Sequence, residues 1–329
     1  VDMQTLLLDP DDIAASAALS EVIDAVERAF QAYAEGDVQM PAKSYIDLPQ
    51  YSGDFRSMPA YVEADDWEAA GVKWVNSHVH NPEEHDLPTV MGTMVYSDPE
   101  TAFPLAILDG TTLTRLRTGA AAAVATRHLA REDATSLGLV GAGIQAYYQL
   151  EAIAEVRDLD QVVVADVDED AIAELMDRYG DDFDISPGSV EEAASCDVVS
   201  TTTPVREPIV STVSPNTHVN AMGADAAGKH EIADEILMEA TLVIDDYDQC
   251  THSGEINVPW GQGLLSDADI HAELGEIVAG EKPGRTGDGI TIFDSTGLAI
   301  QDVAAAHKVY EGAREDGRGT EFALVGTDT

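Results

Sequence analysis

A chain of 329 residues with 62 acidic and only 17 basic side chains keeps few cations, so a cation in an apolar run is a candidate for chemistry. Five lysines occur, Lys43, Lys73, Lys229, Lys282 and Lys308. Lys73 lies in Gly71-Val72-Lys73-Trp74-Val75, a strand-like context that suits a lysine poorly unless it is paired or holds an anion. Lys43 and Arg56 precede it, and Arg115 and Arg117 form a second cationic spot; of that pair, Arg115 reads as structural. Cations of this kind can hold a substrate carboxylate by charge-assisted hydrogen bonds. Burial and like-charged neighbours would lower the pKa of Lys73 until it exchanges protons near neutrality.

A second chemistry is written in Ser136 to Asp166. An apolar run stops at Gly141 and Gly143, a helix-like segment opens with Ile144 and Gln145, Ala146 takes the third glycine position, and the next apolar run ends on Asp166. Strand, tight turn, helix, strand is the fingerprint of a dinucleotide site, the glycines letting the backbone approach a pyrophosphate at a helix N-terminus. Asp166, 25 positions after Gly141, can accept hydrogen bonds from ribose hydroxyls and would repel a 2′-phosphate; no Arg or Lys lies between it and Arg178. NAD is therefore expected rather than NADP, with Val167 and Asp168 beside it.

These residues need elements to place them. From Gly141 onward short apolar runs alternate with helical patterns: helices Asp168 to Arg178, Ser189 to Ser195 and Glu231 to Glu239, and strands near Phe183 to Ile185, Asp197 to Thr201, His218 to Gly223, Leu242 to Asp245 and Ile290 to Phe293. That pattern predicts a doubly wound parallel sheet, whose ligands lie beyond the carboxyl ends of the strands. Thr202 and Thr203, Gly223 and Asp225, and Ser295 and Thr296 sit at such ends. Asp225 could take a proton from a substrate ammonium or from water attacking an imine.

Before this region the pattern differs. After an extended Met3 to Leu8 and an acidic helix start at Asp9-Pro10-Asp11-Asp12, Ile13, Val22, Val26, Phe30 and Tyr33 keep helical spacing up to Gly36. Met40 to Val75, with alternating apolar residues and prolines, predicts an antiparallel or mixed sheet with one solvated face, continued by strands around Val90 to Val95 and Leu105 to Leu108. Arg117 then begins the alanine-rich helix, followed by Thr118. A final helix, Leu298 to Glu311, should pack back on this first region. The expected class is α/β: a doubly wound Rossmann domain, 119–303, and a smaller α+β substrate and dimerisation domain, 1–118 with 304–329.

Composition sets limits. The formal net charge of −45 is spread through every segment, and such self-repulsion needs screening, which points to a high-salt cytoplasm and away from nucleic acid and anionic membranes. Cys196 and Cys250 have neither disulfide-framework nor metal spacing, and His78, His80 and His85 with Asp86 match no zinc or iron pattern, so no metal is expected. Val1 to Leu8 lacks a basic n-region, and no apolar run approaches membrane-spanning length. A soluble cytoplasmic protein is expected.

Taken together, the segments resemble one family. Met40-Pro41-Ala42-Lys43, Gly53 to Tyr61 (GDFRSMPAY), Gly71-Val72-Lys73, Arg117-Thr118-Gly119-Ala120, Gly141 to Ala146, Asn220 to Asp225 and Ser295 to Asp302 resemble, in order over nearly the whole chain, the ornithine cyclodeaminase and mu-crystallin family and within it the archaeal alanine dehydrogenase branch. The resemblance implies a homodimer, a catalytic pair Lys73 and Asp225, and Arg117 and Gln145 along the cofactor. It implies Lys43, Arg56, Lys73, Arg117 and Thr296 about the substrate, and Thr118, Gly141, Gly143, Ile144, Asp166, Val167, Asp168, Thr202, Thr203, Gly223 and Ser295 about NAD. Cyclodeaminases carry Arg where this chain has Lys43; that departure, with Arg56, points toward NAD-dependent oxidation of a small L-amino acid such as alanine. Ornithine cyclodeamination, cyclic imine (ketimine) reduction and cofactor binding without turnover are the alternatives. A cyclodeaminase would consume ornithine with no net change in NAD.

Overall fold

The computed structural model describes residues 4–326, so Met3 of the expected first strand lies outside them. The chain forms two compact units: one runs to Arg117 and resumes at Leu298, the other is Thr118–Gly297. The C-terminal segment thus returns at Leu298 rather than 304, because Ala299–Asp316 is one continuous helix.

The first unit is built on a mixed sheet. Its strands run in the order Thr320–Phe322, Thr5–Leu8, Pro104–Asp109, Val90–Ser97, Glu68–His78, Gly53–Glu63, Val38–Gln39, with Ser44–Leu48 also on Gly53–Glu63. Among the described residues only Thr5–Leu8 with Pro104–Asp109 is parallel in it. Strand alternation sorts side chains between two faces. Met58, Ala60, Val62, Val75, Met94 and Leu108 are buried, while Trp74, between Lys73 and Val75, is 43% exposed. The helices Leu19–Glu35 and Ala299–Asp316 cover the buried face, so the final helix packs on this unit as its apolar stripe required.

Local signals explain the helix ends. Asp9 caps Pro10–Ser16 by accepting the Asp12 N–H, and Gly36, at φ +86°, closes Leu19–Glu35 in the left-handed conformation open to glycine. The apolar spacing from Ile13 to Tyr33 is therefore shared by two helices. The Asn-, Pro- and Glu-rich stretch after His80 contains a short helix, Asn81–His85, with Pro82 in its first turn. One expectation is corrected. The alanine-rich helix begins at Gly110, not Arg117, since the Asp109 carboxylate accepts the N–H groups of Thr111 and Thr112 and starts it there.

The second unit is a parallel sheet in the order Ile185–Pro187, Gln161–Ala165, Ser136–Val140, Val198–Thr201, His218–Ala221, Thr291–Asp294, Thr241–Ile244, Ile270–Glu273. Alternate residues of one strand enter different cores: Val162, Val164 and Val198 pack with Leu150, Ile153, Ile172 and Leu175, whereas Val163, Ala165 and Val199 pack with Ala193, Ile236 and Leu237. Both faces are covered, as a doubly wound sheet demands. The Ile270–Glu273 edge strand was not expected, since Ile270-His271-Ala272-Glu273 forms no apolar run. Among the described residues no helix is long and apolar enough to cross a membrane.

Candidate functional site

In the first unit the geometry centres on Lys73. It sits mid-strand between Met58 and Met94 of the neighbouring strands, on the face covered by the final helix, and is 1% exposed. Its Nζ donates to Asp302 Oδ1 at 2.7 Å and to Thr114 Oγ1 at 3.0 Å, and the Thr114 hydroxyl in turn donates a hydrogen bond to the Gly110 carbonyl. Arg117 Nε donates to the same Asp302 oxygen at 3.0 Å and its Nη1 to Gln301 Oε1 at 3.1 Å. Asp302 is 0% exposed and Arg117 7%. Two cations thus share one carboxylate in a desolvated place.

Charge balance follows from that sharing. Burial pushes the Lys73 ammonium from its ordinary 10.5 down to about 7; Asp302 opposes the shift, Arg117 adds to it, and Lys43 repels from further away. Lys73 can therefore gain or lose a proton at physiological pH. The second Asp302 oxygen and Gln301 Nε2 are buried without a protein partner. Arg56, two residues from Met58 on the same strand, is held by Asp54 at 3.0 Å and lies over the Tyr45 ring. The unit brings Lys73 and Arg117 together, with Lys43 within electrostatic reach.

Asp302 and Gln301 escaped the sequence reading. A signal existed: in Ala299-Ile300-Gln301-Asp302-Val303-Ala304, a polar pair interrupts a run that is otherwise core.

In the second unit the glycine turn has the form the motif predicts. Gly141 is at φ +105° and a Cβ there would press on Thr202 Oγ1 at 2.9 Å. Gly143 is different. Its φ of −66° suits any residue and a Cβ would meet nothing within 4 Å, so nothing inside the protein requires glycine there. It caps the helix Ile144–Ala154, leaving open space at that N-terminus where a pyrophosphate can approach. Asp166 accepts the Ala142 N–H at 2.6 Å and the Asp168 N–H at 2.9 Å, so the carboxylate expected to read a ribose also braces the glycine turn. Beside it Val167 is fully exposed and Ile144 is 50% exposed, apolar surface suited to a base. These features fit a dinucleotide. Asp168 caps the next helix, Glu169–Tyr179; Gln145 opens the helix after the turn, and Thr118 accepts weakly from Gln149 at 3.5 Å.

The strand ends are tied by carboxylates that composition hid among 62 acids. Glu231, 0% exposed, accepts from Thr201 Oγ1, Thr203 N and Thr203 Oγ1, each at 2.7 Å, and from Gly223 N at 3.1 Å. Asp245 accepts from Ser295 Oγ and from the N–H groups of Thr296 and Gly297. Thr202 donates its N–H to Val140. Asp225 lies in the turn after Gly223, 2.5 Å from Lys229 Nζ. Among the described residues no group of three or more His, Cys, Asp or Glu could hold a metal.

A parallel doubly wound sheet with this glycine turn defines a Rossmann-type nucleotide-binding unit, and its companion carries a buried cation cluster on a mixed sheet. Residues 3–317 match the model of the ornithine cyclodeaminase/mu-crystallin family, and the chain belongs to that family. It is 47% identical to an alanine dehydrogenase of Archaeoglobus fulgidus over 97% of this chain and 98% of that one. A solved archaeal alanine dehydrogenase dimer with bound NAD superposes with a TM-score of 0.93 at 46% identity, covering 98% of this chain and 100% of the other. The Δ1-pyrroline-2-carboxylate reductase of Thermococcus litoralis, in complex with NADH and L-proline, follows at 0.89 and 36%, covering 96% and 99%.

Proposed function

We propose that this chain is an NAD-dependent dehydrogenase that deaminates a small L-amino acid, L-alanine, to pyruvate and ammonium. The observation that carries the reading is the burial of Lys73 and Arg117 around the single Asp302 carboxylate. With Lys73 protonated, two cations against one anion leave a net positive charge, which a substrate carboxylate would balance. The open glycine turn and Asp166 support NAD as the acceptor, as does the NAD bound to the archaeal relative.

The reaction balances as alanine, NAD⁺ and water giving pyruvate, ammonium, NADH and one proton. Bound NAD would supply the acceptor for the hydride of the substrate Cα. Lys73 and Arg117 hold the carboxylate, with Lys43 and Arg56 adding positive field. Asp225 takes a proton from the substrate ammonium, freeing the lone pair that expels hydride, releases it to solvent as the one proton of that balance, and then takes a proton from the water that attacks the resulting imine. Lys73, able to change protonation near neutrality, returns a proton to departing ammonia. Gln145, Thr118, Ile144, Val167, Asp168, Thr202, Thr203, Gly223, Ser295 and Thr296 are proposed contacts for cofactor or substrate.

The second reading, reduction of a cyclic imine carboxylate, is favoured by the L-proline and NADH of the Thermococcus enzyme. A screen in molar KCl of alanine, ornithine, lysine and cyclic imines decides, read by NADH absorbance and product mass. Pyruvate and NADH formed in equal amounts from alanine support the first reading. Ornithine lost without net NADH, or activity confined to imines, overturns it.

We further take the chain to work as a homodimer. Ile46 (52% exposed) lies opposite Phe55, which stacks on Trp74 (43% exposed), an apolar surface on the uncovered sheet face. The archaeal relative is a dimer. A monomeric mass by light scattering would contradict this.

A further inference from the structure

Three acids that tie the strand ends of the second unit work in series. Asp294, ending its strand, accepts the N–H groups of Glu255 and Ile256 at 2.8 and 3.1 Å. Glu255 accepts those of Glu231 and Ile232 at 2.8 and 2.7 Å. Glu231 then accepts from Thr203 and Gly223. Three buried carboxyls therefore carry position from the Thr291–Asp294 strand to the ends of Val198–Thr201 and His218–Ala221.

The last link closes a loop on itself. Gly223 and Glu231 are its two ends, joined by the Gly223 N–H to Glu231 Oε2 bond, and Asp225 lies between them. The fit is tight: a Cβ on Gly223 would come within 2.6 Å of the Thr203 carbonyl and would collide with the Glu231 carboxylate. At the far side Asn257 holds the same loop, accepting the Gly228 N–H and donating to the Lys229 carbonyl, both at 2.9 Å.

We infer that Glu231 is a positioning residue, whose carboxylate sets the place of Asp225 and the flanking turns; this rests on the proposed role of Asp225. The geometry specifies a carboxylate, not merely a polar group. Each of its oxygens receives one backbone N–H and one threonine hydroxyl: Oε1 from Thr203, Oε2 from Gly223 and Thr201. A glutamine, however it turns, must aim its own NH₂ at a backbone N–H. One end of the loop would then be released.

The test compares Glu231→Gln, Thr201→Val and Asp225→Asn, with kcat measured at saturating NAD and amino acid so that weakened binding does not enter. Displacement of a reacting group by about 1 Å costs about a hundredfold in rate. Glu231→Gln should lose kcat by about that factor, and Thr201→Val, which removes one hydroxyl donor and keeps both backbone bonds, should lose less in the same direction. A purely structural Glu231 would lower the melting temperature and leave kcat per folded site within about threefold of the parent, which overturns the inference. Should Glu231→Gln not fold, Thr201→Val decides alone, an unchanged kcat being the refutation. Asp225→Asn separates the two ideas: inactive Asp225→Asn with active Glu231→Gln defeats only the positioning role, whereas active Asp225→Asn defeats the catalytic reading and the inference with it.

Discussion

Lys73 Nζ lies 2.7 Å from Asp302 Oδ1, an oxygen that Arg117 also uses at 3.0 Å, and all three side chains are buried. Removing one member of a buried ionic group costs about 3–5 kcal/mol, because the remaining charge stays desolvated without its partner. Asp302→Asn should therefore destabilise the protein by about that much, as read by chemical denaturation in high salt. The Lys73 pKa, which Asp302 holds up against burial, should fall further below about 7.

Stability should follow the Lys73 proton. Its folded value lies near 7 against an ordinary 10.5, so between those limits the unfolded chain binds the proton more tightly. The Lys73 contribution to stability therefore rises with pH across that window and is flat below and above it. The melting temperature of Lys73→Met, measured from pH 7 to 10, should rise less than that of the parent; equal slopes would contradict a depressed Lys73.

Gly143 offers a separate test of cofactor binding. Threonine caps helices about as well as glycine, and a Cβ meets no protein atom within 4 Å. Gly143→Thr should keep its melting temperature without cofactor yet weaken NADH at least about tenfold, roughly 1.4 kcal/mol, in a fluorescence titration.

Asp166 should govern the choice between NAD and NADP. Its loss removes the charge that repels a 2′-phosphate and also the brace on Ala142. Asp166→Ala should weaken NADH while narrowing the difference between NADH and NADPH in the same titration. A parent that binds NADPH more tightly than NADH would overturn the assignment.

A net charge of −45 on 329 residues should make the fold depend on salt. The Debye length shrinks to about 3 Å at 1 M, which suppresses repulsion among surface carboxylates. Melting temperature and activity should both climb as KCl rises from about 0.1 M into the molar range. Equal stability without added salt would remove the high-salt adaptation.

The parts legible in the sequence were those with a strong period or a backbone requirement. Gly141 at φ +105°, Gly36 at φ +86° and alternation around Lys73 announce their structures locally. Lys73 stood out because lysine is scarce. The carboxylates that organise both units did not, since Asp302, Glu231, Asp245 and Asp294 are chemically like every other acid in an acidic chain. What distinguishes them is complete burial, which arises from pairings as distant as Lys73 with Asp302, 229 positions apart. The start of the alanine-rich helix was misread for a related reason: Thr111, Thr112 and Thr114 favour strands and caps alike, and the Asp109 cap decided the matter.

The central claim is that hydride leaves the amino-acid Cα for the nicotinamide. L-Alanine deuterated at Cα, turned over with NAD in molar KCl, tests it directly by mass spectrometry of the reduced cofactor. The account predicts NADH carrying the deuterium, with pyruvate and ammonium formed in equal amount. Unlabelled NADH, or no NADH at all from alanine, would contradict it.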